Sequence, residues 1–388
     1  MPDEVYIPRY RFDPLGVVAV FLAVLTLVGL IALRSTGDFG ERYQEQLDLI
    51  GIPTASYSAE VVRVLDEPCE GTTEITCQTV DFQLGAGPDT DVVVTQVFPE
   101  SPSLIGFTVG DDVVLGAVPD APIEFRYQYQ DRQRRSILIW VTLLFAVVVV
   151  ALGRWRGVAA LAGLGASVAV LLLFVLPAIL DGREPVAVAV VGASAIAFIA
   201  LYSAHGFSIK TTVALLGTIG ALALTALLSA VVLAIAEISG FGTEEAVFLS
   251  LFEGIDIRGL VLAGTVLGAI GAIDDVTVTQ SSAVWELKAA NPRLGSRKLF
   301  DAGLRIGRDH IASTVNTLLL AYAGAALPLL VLFVIAGQSL GTIANSEVVA
   351  IEIIRTMAGS IGLVAAVPVT TWLASLKAAH QLPASSGR

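Results

Sequence analysis

Charge is scarce in this sequence: Asp, Glu, Lys and Arg supply 15% of its 388 residues. Histidine occurs three times and cysteine twice. H-E-x-x-H is not present, so zincin chemistry lacks its usual motif. Gly206-Phe207-Ser208-Ile209-Lys210-Thr211 lacks the spacing of a P-loop. Lys and Arg number 23 against 35 Asp and Glu, which argues against a basic nucleic-acid-binding surface. We therefore expect neither an enzyme, nor a cofactor, nor a nucleic-acid partner.

What is abundant is apolar sequence. The chain is 55% hydrophobic with a mean hydropathy of +0.78, well above an ordinary soluble domain. Leu15–Leu33 forms a first apolar run. Leu33-Arg34-Ser35-Thr36 shows no small-x-small cleavage pattern, so this run is expected to stay as an anchor. Further runs lie near Ile137–Leu152, Val158–Leu180, Val186–Ala204, Thr211–Ala236, Gly259–Val284, Ile311–Ala336 and Thr356–Leu376. The reading is an all-α polytopic membrane bundle of about eight transmembrane helices. Its partner is the lipid bilayer.

Between Arg34 and Arg135 the pattern changes. This segment holds 18 acidic and 7 basic residues, most of the net charge of −12. Ile123, Phe125, Tyr127 and Tyr129 alternate with polar residues at period two. Ala59–Leu65, Thr79–Leu84, Val92–Phe98 and Val113–Val118 are further short β runs between Gly, Pro and Asp clusters. A small all-β domain is expected, an OB-like barrel or a sandwich. Cys69 and Cys77 both lie here, and a disulfide is expected if the segment is extracytoplasmic. Two free thiols are the alternative. A zinc site is unsupported, because the segment has no His; whether a metal binds elsewhere is open.

Lys and Arg counts orient the chain. With the N-terminus inside, the inner segments hold Arg9, Arg11, Arg154, Arg156, Lys210, Lys288, Arg293, Arg297, Lys298, Arg305, Arg308, Lys377 and Arg388. The short outer loops hold Arg183, Arg258 and Arg355. Both termini are thus expected in the cytoplasm and the β domain outside. Arg132, Arg134 and Arg135 run against the trend. The expected divisions are residues 1–33 (N-terminus and first span), 34–135 (β domain), 136–377 (seven-helix membrane domain) and 378–388 (tail). Glu237–Arg258 is expected to hold a short amphipathic helix with Val247, Phe248, Leu251 and Phe252 on its apolar face. Ile343–Arg355 is a candidate helical extension of the last span. Asn291–His310 reads as the main inner loop, carrying an interfacial helix with Phe300, Leu304, Gly307 and Ile311 on one face.

The chain is organised around Gly259 to Lys288. No charge occurs from Gly259 to Ile273; then Asp274 and Asp275 arrive together. A carboxylate at the centre of a bilayer helix costs roughly 2.5–3.5 kcal/mol on the insertion scale, so such residues read as functional. At helical spacing Gly264, Gly268, Gly271, Asp275, Thr279 and Ser282 share a line. The glycines are expected to pack a neighbouring helix, which turns Asp275 into the bundle. The alternative is a pair near the cytoplasmic surface at a short helix end. No Lys or Arg falls inside the expected spans, so either a carboxyl carries a proton or a mobile cation sits there. Asn316 and Thr317 are further candidates for this proton or cation pathway, as are Thr218, Thr225 and Ser229. Two adjacent aspartates on one helix do not match an aspartyl protease, which needs them opposed.

These residues resemble the YibE/F-like family of bacterial membrane proteins. The motifs are Gly268-Ala269-Ile270-Gly271-Ala272-Ile273-Asp274, then Ser281 to Glu286, then Gly303-Leu304-Arg305-Ile306-Gly307-Arg308-Asp309-His310, then Asn316 to Gly324. The family pattern has one Asp after the Gly-Ala segment, where Asp274 stands. The outer β domain is similar to that of YibE-type members. The resemblance implies an integral protein of the bacterial inner membrane, with a homo-oligomer or a related YibE/F-like protein as partner, and by association a transporter or permease. The competing reading is a membrane scaffold or sensor whose outer domain binds a partner. Substrate and direction are not legible.

Overall fold

A computed structural model describes residues 14–37, 52–69, 76–100, 106–118 and 121–380, with isolated residues between 40 and 47. The expected inner arm with Arg9 and Arg11, the loop between the two cysteines and the tail beyond residue 380 lie outside the described residues. The chain divides into two compact units, residues 38–149 and residues 1–37 with 150–388.

The smaller unit is a curled antiparallel sheet of β1 (Ala55–Pro68), β2 (Thr76–Leu84), β3 (Val93–Pro99), β4 (Asp112–Ala117) and β5 (Tyr127–Arg132), in the order β3-β2-β1-β4-β5. β1 is long enough to serve both halves. Its start pairs with β4 and its end with β2, across a bulge between Val61 and Arg63. Gly110, with φ +92, donates its N–H to the Val61 carbonyl at this bulge, a backbone conformation suited to glycine. Curling brings the edge strands together through one side chain. The Gln96 amide donates to the Tyr127 carbonyl at 2.8 Å and accepts from the Tyr129 N–H at 3.0 Å. Val61, Val80, Phe82, Leu84, Val113 and Leu115 form the buried interior. Phe82, Phe98, Phe107 and Tyr129 interlock there, mostly edge to face.

Cys69 and Cys77 are joined by a disulfide, with Cα atoms 5.0 Å apart. One expectation fails locally. Ile123–Arg126 is a helical turn, closed by bonds from the Phe125 and Arg126 N–H groups to the Pro122 carbonyl. The strand begins only at Tyr127. Tyr127 is buried and donates its hydroxyl to Asp89 at 2.6 Å.

The larger unit is helical. It contains α1 (Pro14–Ala32), the later part of α2 (Arg135–Val170), α3 (Leu176–Leu180), α4 (Pro185–His205), α5 (Ile209–Ile235), α6 (Ile257–Ala290), α7 (Ser296–Ala325), α8 (Leu327–Ile335) and α9 (Glu347–His380). Among the described residues, six helices are long and apolar enough to cross a membrane, or seven if the bent pair α7–α8 counts as one. Asp256 caps α6, accepting the Gly259 N–H at 3.0 Å, and Ser208 caps α5.

The spans expected on either side of Arg154 are two helices that meet in α2 at a kink, where Arg154 leaves the helical region at φ 52, ψ −131. Three expectations about these elements change. The span expected over Ile311–Ala336 is bent by 62° between α7 and α8. Pro328 stands in the first turn of α8, where it lacks an N–H and crowds the preceding turn. The Asn291–His310 loop is a short turn followed by the first half of α7. That half packs on the bundle through buried Leu299, Gly303 and Gly307. The helix expected in Glu237–Arg258 is short, Glu244–Leu249; Phe252 is buried, while Val247, Phe248 and Leu251 are exposed.

The core lies among α4, α5, α6 and α9, with Val266, Ile273, Val276, Leu363 and Val367 at its centre. Polar residues are buried with them. Thr218 of α5 meets Thr277 of α6 at 2.7 Å, and Ser281 of α6 donates to the Lys210 carbonyl at 2.9 Å. Hydroxyls of this kind hold apolar helices in register.

Candidate functional site

α6 has 34 residues, about 51 Å at helical rise, and the aspartates sit near its middle. Its buried face carries Ala263, Val266, Ala269, Ile273, Val276, Thr277, Gln280, Ser281 and Val284. Asp274 lies beside this face, half-buried. It is one turn from Ile270 and one turn from Val278, both packed against the α4–α5 cluster of Ala197, Leu201, Ala214 and Leu215. The Asp274 Oδ1 atom is buried and has no hydrogen-bond partner. A carboxylate oxygen in that state is costly unless a proton or cation joins it.

Asp275 is turned about 100° further round the helix. Its side chain is 71% exposed, and its Oδ2 lies 4.0 Å from Nε2 of His310 on α7. The line through Gly264, Gly268, Gly271 and Asp275 is therefore not the buried face. Gly268 and Gly271 are exposed, and Thr279 and Ser282 are half-buried. The glycines still differ from one another. A Cβ on Gly268 would sit 2.6 Å from the Tyr322 hydroxyl, and one on Gly264 3.5 Å from a guanidinium nitrogen of Arg355. A Cβ on Gly271 would meet nothing within 4 Å.

The other candidates divide. Thr218 reaches α6 through Thr277, whose hydroxyl in turn donates to the Asp274 carbonyl at 3.0 Å. Thr225 donates back to Ala221, and the buried Ser229 hydroxyl has no partner. Asn316 and Thr317 face outward on α7, and Thr317 bonds to its own helix at Ser313. They are not brought to the aspartates. The reason is the packing of α7, which turns Leu304, Ile311, Val315 and Leu318 toward the core.

Sequence reading missed one cluster. Arg355 is inside α9, where it pairs with Glu352 at 2.6 Å and lies 5.9 Å from the centre of the Tyr322 ring. The i,i+3 spacing of Glu352 and Arg355 was the available signal, hidden because both were placed beyond the last span. Among the described residues no three His, Cys, Asp or Glu gather as a metal centre would require.

Fold and site together define a polytopic helical membrane protein with a separate curled β domain. The family profile of YibE/F-like proteins matches residues 141–380, and the chain belongs to that family. No curated protein and no solved structure matches it in the comparisons made.

Proposed function

We propose that this protein is a transporter or permease of the bacterial cell membrane, moving a proton or cation past Asp274 and Asp275. The observation that carries the reading is the Asp274 carboxyl, held midway along a membrane-length helix with a buried oxygen lacking any partner. Such a group is costly in hydrocarbon and is expected where an ion or proton passes. His310, 4.0 Å from Asp275, adds a third titratable group beside the pair. In this reading the chain makes about eight crossings, α2 entering and leaving at Arg154. The β domain, OB-like in its curl, is extracytoplasmic, both termini are cytoplasmic, and no enzymatic step is involved. Assembly is with a second copy or a related YibE/F-like protein.

The test begins with uptake and efflux of metal ions and osmolytes in a deletion strain, which supplies a substrate. Asp274→Asn/Asp275→Asn then keeps size and hydrogen bonding while removing both titratable charges. Reconstituted transport should disappear while expression persists. The single variants assign the work between the half-buried and the exposed carboxyl. A double variant that fully replaces the wild type in cells refutes the site and favours the scaffold reading.

A further inference from the structure

Arg132, Arg134 and Arg135 stand where β5 ends and α2 begins, on the side of the span where basic residues are normally sparse. The structure accounts for two of them. Arg132 pairs with Asp111 at 3.1 Å, donates to the Gly106 carbonyl at 2.7 Å and lies over the Phe107 ring. Arg134 pairs with Asp131 at 2.5 Å. Arg135 is exposed, and among the described residues no carboxylate is paired with it.

Around these arginines is a concavity of about 630 Å³, lined on the α2 side by Arg135, Leu138, Ile139, Thr142 and Leu143. Their spacing is i, i+3, i+4, i+7, i+8, a single helical face. Cation gives way to continuous apolar surface within about 12 Å along the helix. Trp140, 69% exposed, stands at the same level, as aromatic residues do at a membrane–water boundary. A phosphate above and an acyl chain below match this order of chemistry.

We propose that this concavity binds an anionic phospholipid of the leaflet next to the β domain. Its phosphate engages Arg135 and Arg134, and one acyl chain lies along Leu138, Ile139 and Leu143. The charge excess is set by Arg135, because Asp111 and Asp131 offset its neighbours. The proposal rests on α2 entering the bilayer at its N-terminal end.

Native mass spectrometry of the full chain, with phosphatidylglycerol or phosphatidylcholine of matched acyl chains, tests it. Wild type should retain phosphatidylglycerol roughly fivefold more tightly, the factor expected for one arginine near a surface phosphate. Arg135→Gln should lose that preference, Arg135→Lys should keep it, and Arg293→Gln, on the turn before α7, should leave it unchanged. Equal retention of the two lipids by wild type overturns the proposal. So does displacement of the lipid by millimolar inorganic phosphate, which would mark a free-anion site. Quenching of Trp140 by brominated phosphatidylcholine, measured against Trp140→Phe, reports bilayer entry separately. Quenching without headgroup preference refutes the lipid site and leaves the span standing.

Discussion

Gly307→Ala tests how α7 is held against the bundle. A Cβ there would collide with Val367 of α9 and lie 2.8 Å from the Gln280 Oε1 atom of α6. Gln280 is buried, and its amide donates to the Gly303 carbonyl at 2.6 Å. The new methyl therefore strains packing and displaces the one side chain that ties α6 to the α7 backbone here. Overpacking costs about 1–3 kcal/mol, and an orphaned buried amide roughly 1–3 kcal/mol more. Helix propensity returns about 1 kcal/mol on replacing glycine by alanine. The net loss is about 1–5 kcal/mol. Gly271→Ala carries the same propensity gain with no contact within 4 Å, so it should be neutral or slightly stabilising. The assay is loss of helical signal at fixed temperature in detergent, a rate measurement suited to irreversible unfolding. His310 is less than a turn beyond Gly307, so the variant should also shift the His310–Asp275 approach. If Gly307→Ala survives as long as Gly271→Ala, the close α7 packing is wrong.

Cys69 and Cys77 should resist alkylation in intact cells until a reductant is added; ready labelling of both would remove the disulfide as a feature of the cellular protein. A reporter placed in the turn at residues 291–295 should be cytoplasmic, and one at residues 86–90 external; an external signal from the turn would overturn the orientation. Asp89 accepts bonds from the Tyr127 hydroxyl, the larger cause, and from Arg126, which hold its carboxyl below 3.8. Its contribution to β-domain stability is therefore complete above that value and is lost as pH falls through the lower folded value. Amide-exchange protection in β5 should hold from neutral pH to about 4 and then fall, and Asp89→Asn should flatten that step.

The membrane-length helices were legible because hydrocarbon demands long uncharged runs, and Leu15–Leu33 or Thr211–Ala236 offers little else. The β strands were legible where alternation met glycine and proline punctuation. Alternation misled at Ile123, because it persists through Phe125 while Pro122 starts a helical turn. Charge misled at Asn291–His310. Arg297, Lys298, Arg305 and Arg308 suggested a surface helix, yet Gly303 and Gly307 let the same helix dock closely on α6 and α9. The glycine line of α6 misled in the opposite sense. Small residues permit close approach but do not select the face that is used, and here Ala263, Ala269, Thr277 and Ser281 serve that purpose on the adjacent face. The glycines that α7 needed were its own.

Consecutive residues on a helix look in directions about 100° apart, so Asp274 and Asp275 cannot share one environment. Asp274 stands between Ile270 and Val278, beside the apolar cluster of α4 and α5, with one oxygen shut off from hydrogen bonding. Asp275 looks past the α7 edge toward His310 and is largely exposed. A low-polarity surround disfavours a bare charge, while an exposed carboxylate can exchange protons or cations freely. The helix thus places a sequestered acceptor and an accessible one within a single residue step, and a proton or cation need only pass round α6 to move between them. That asymmetry predicts unequal single variants. Asp275→Asn should slow exchange yet leave the inner carboxyl able to load. On the proposed function Asp274→Asn should abolish transport outright, and by taking an ionisable group out of its apolar surround it should raise the protein's thermal lifetime. Equal transport defects in the two, with no gain in lifetime for Asp274→Asn, would show that both carboxyls act from the exposed side.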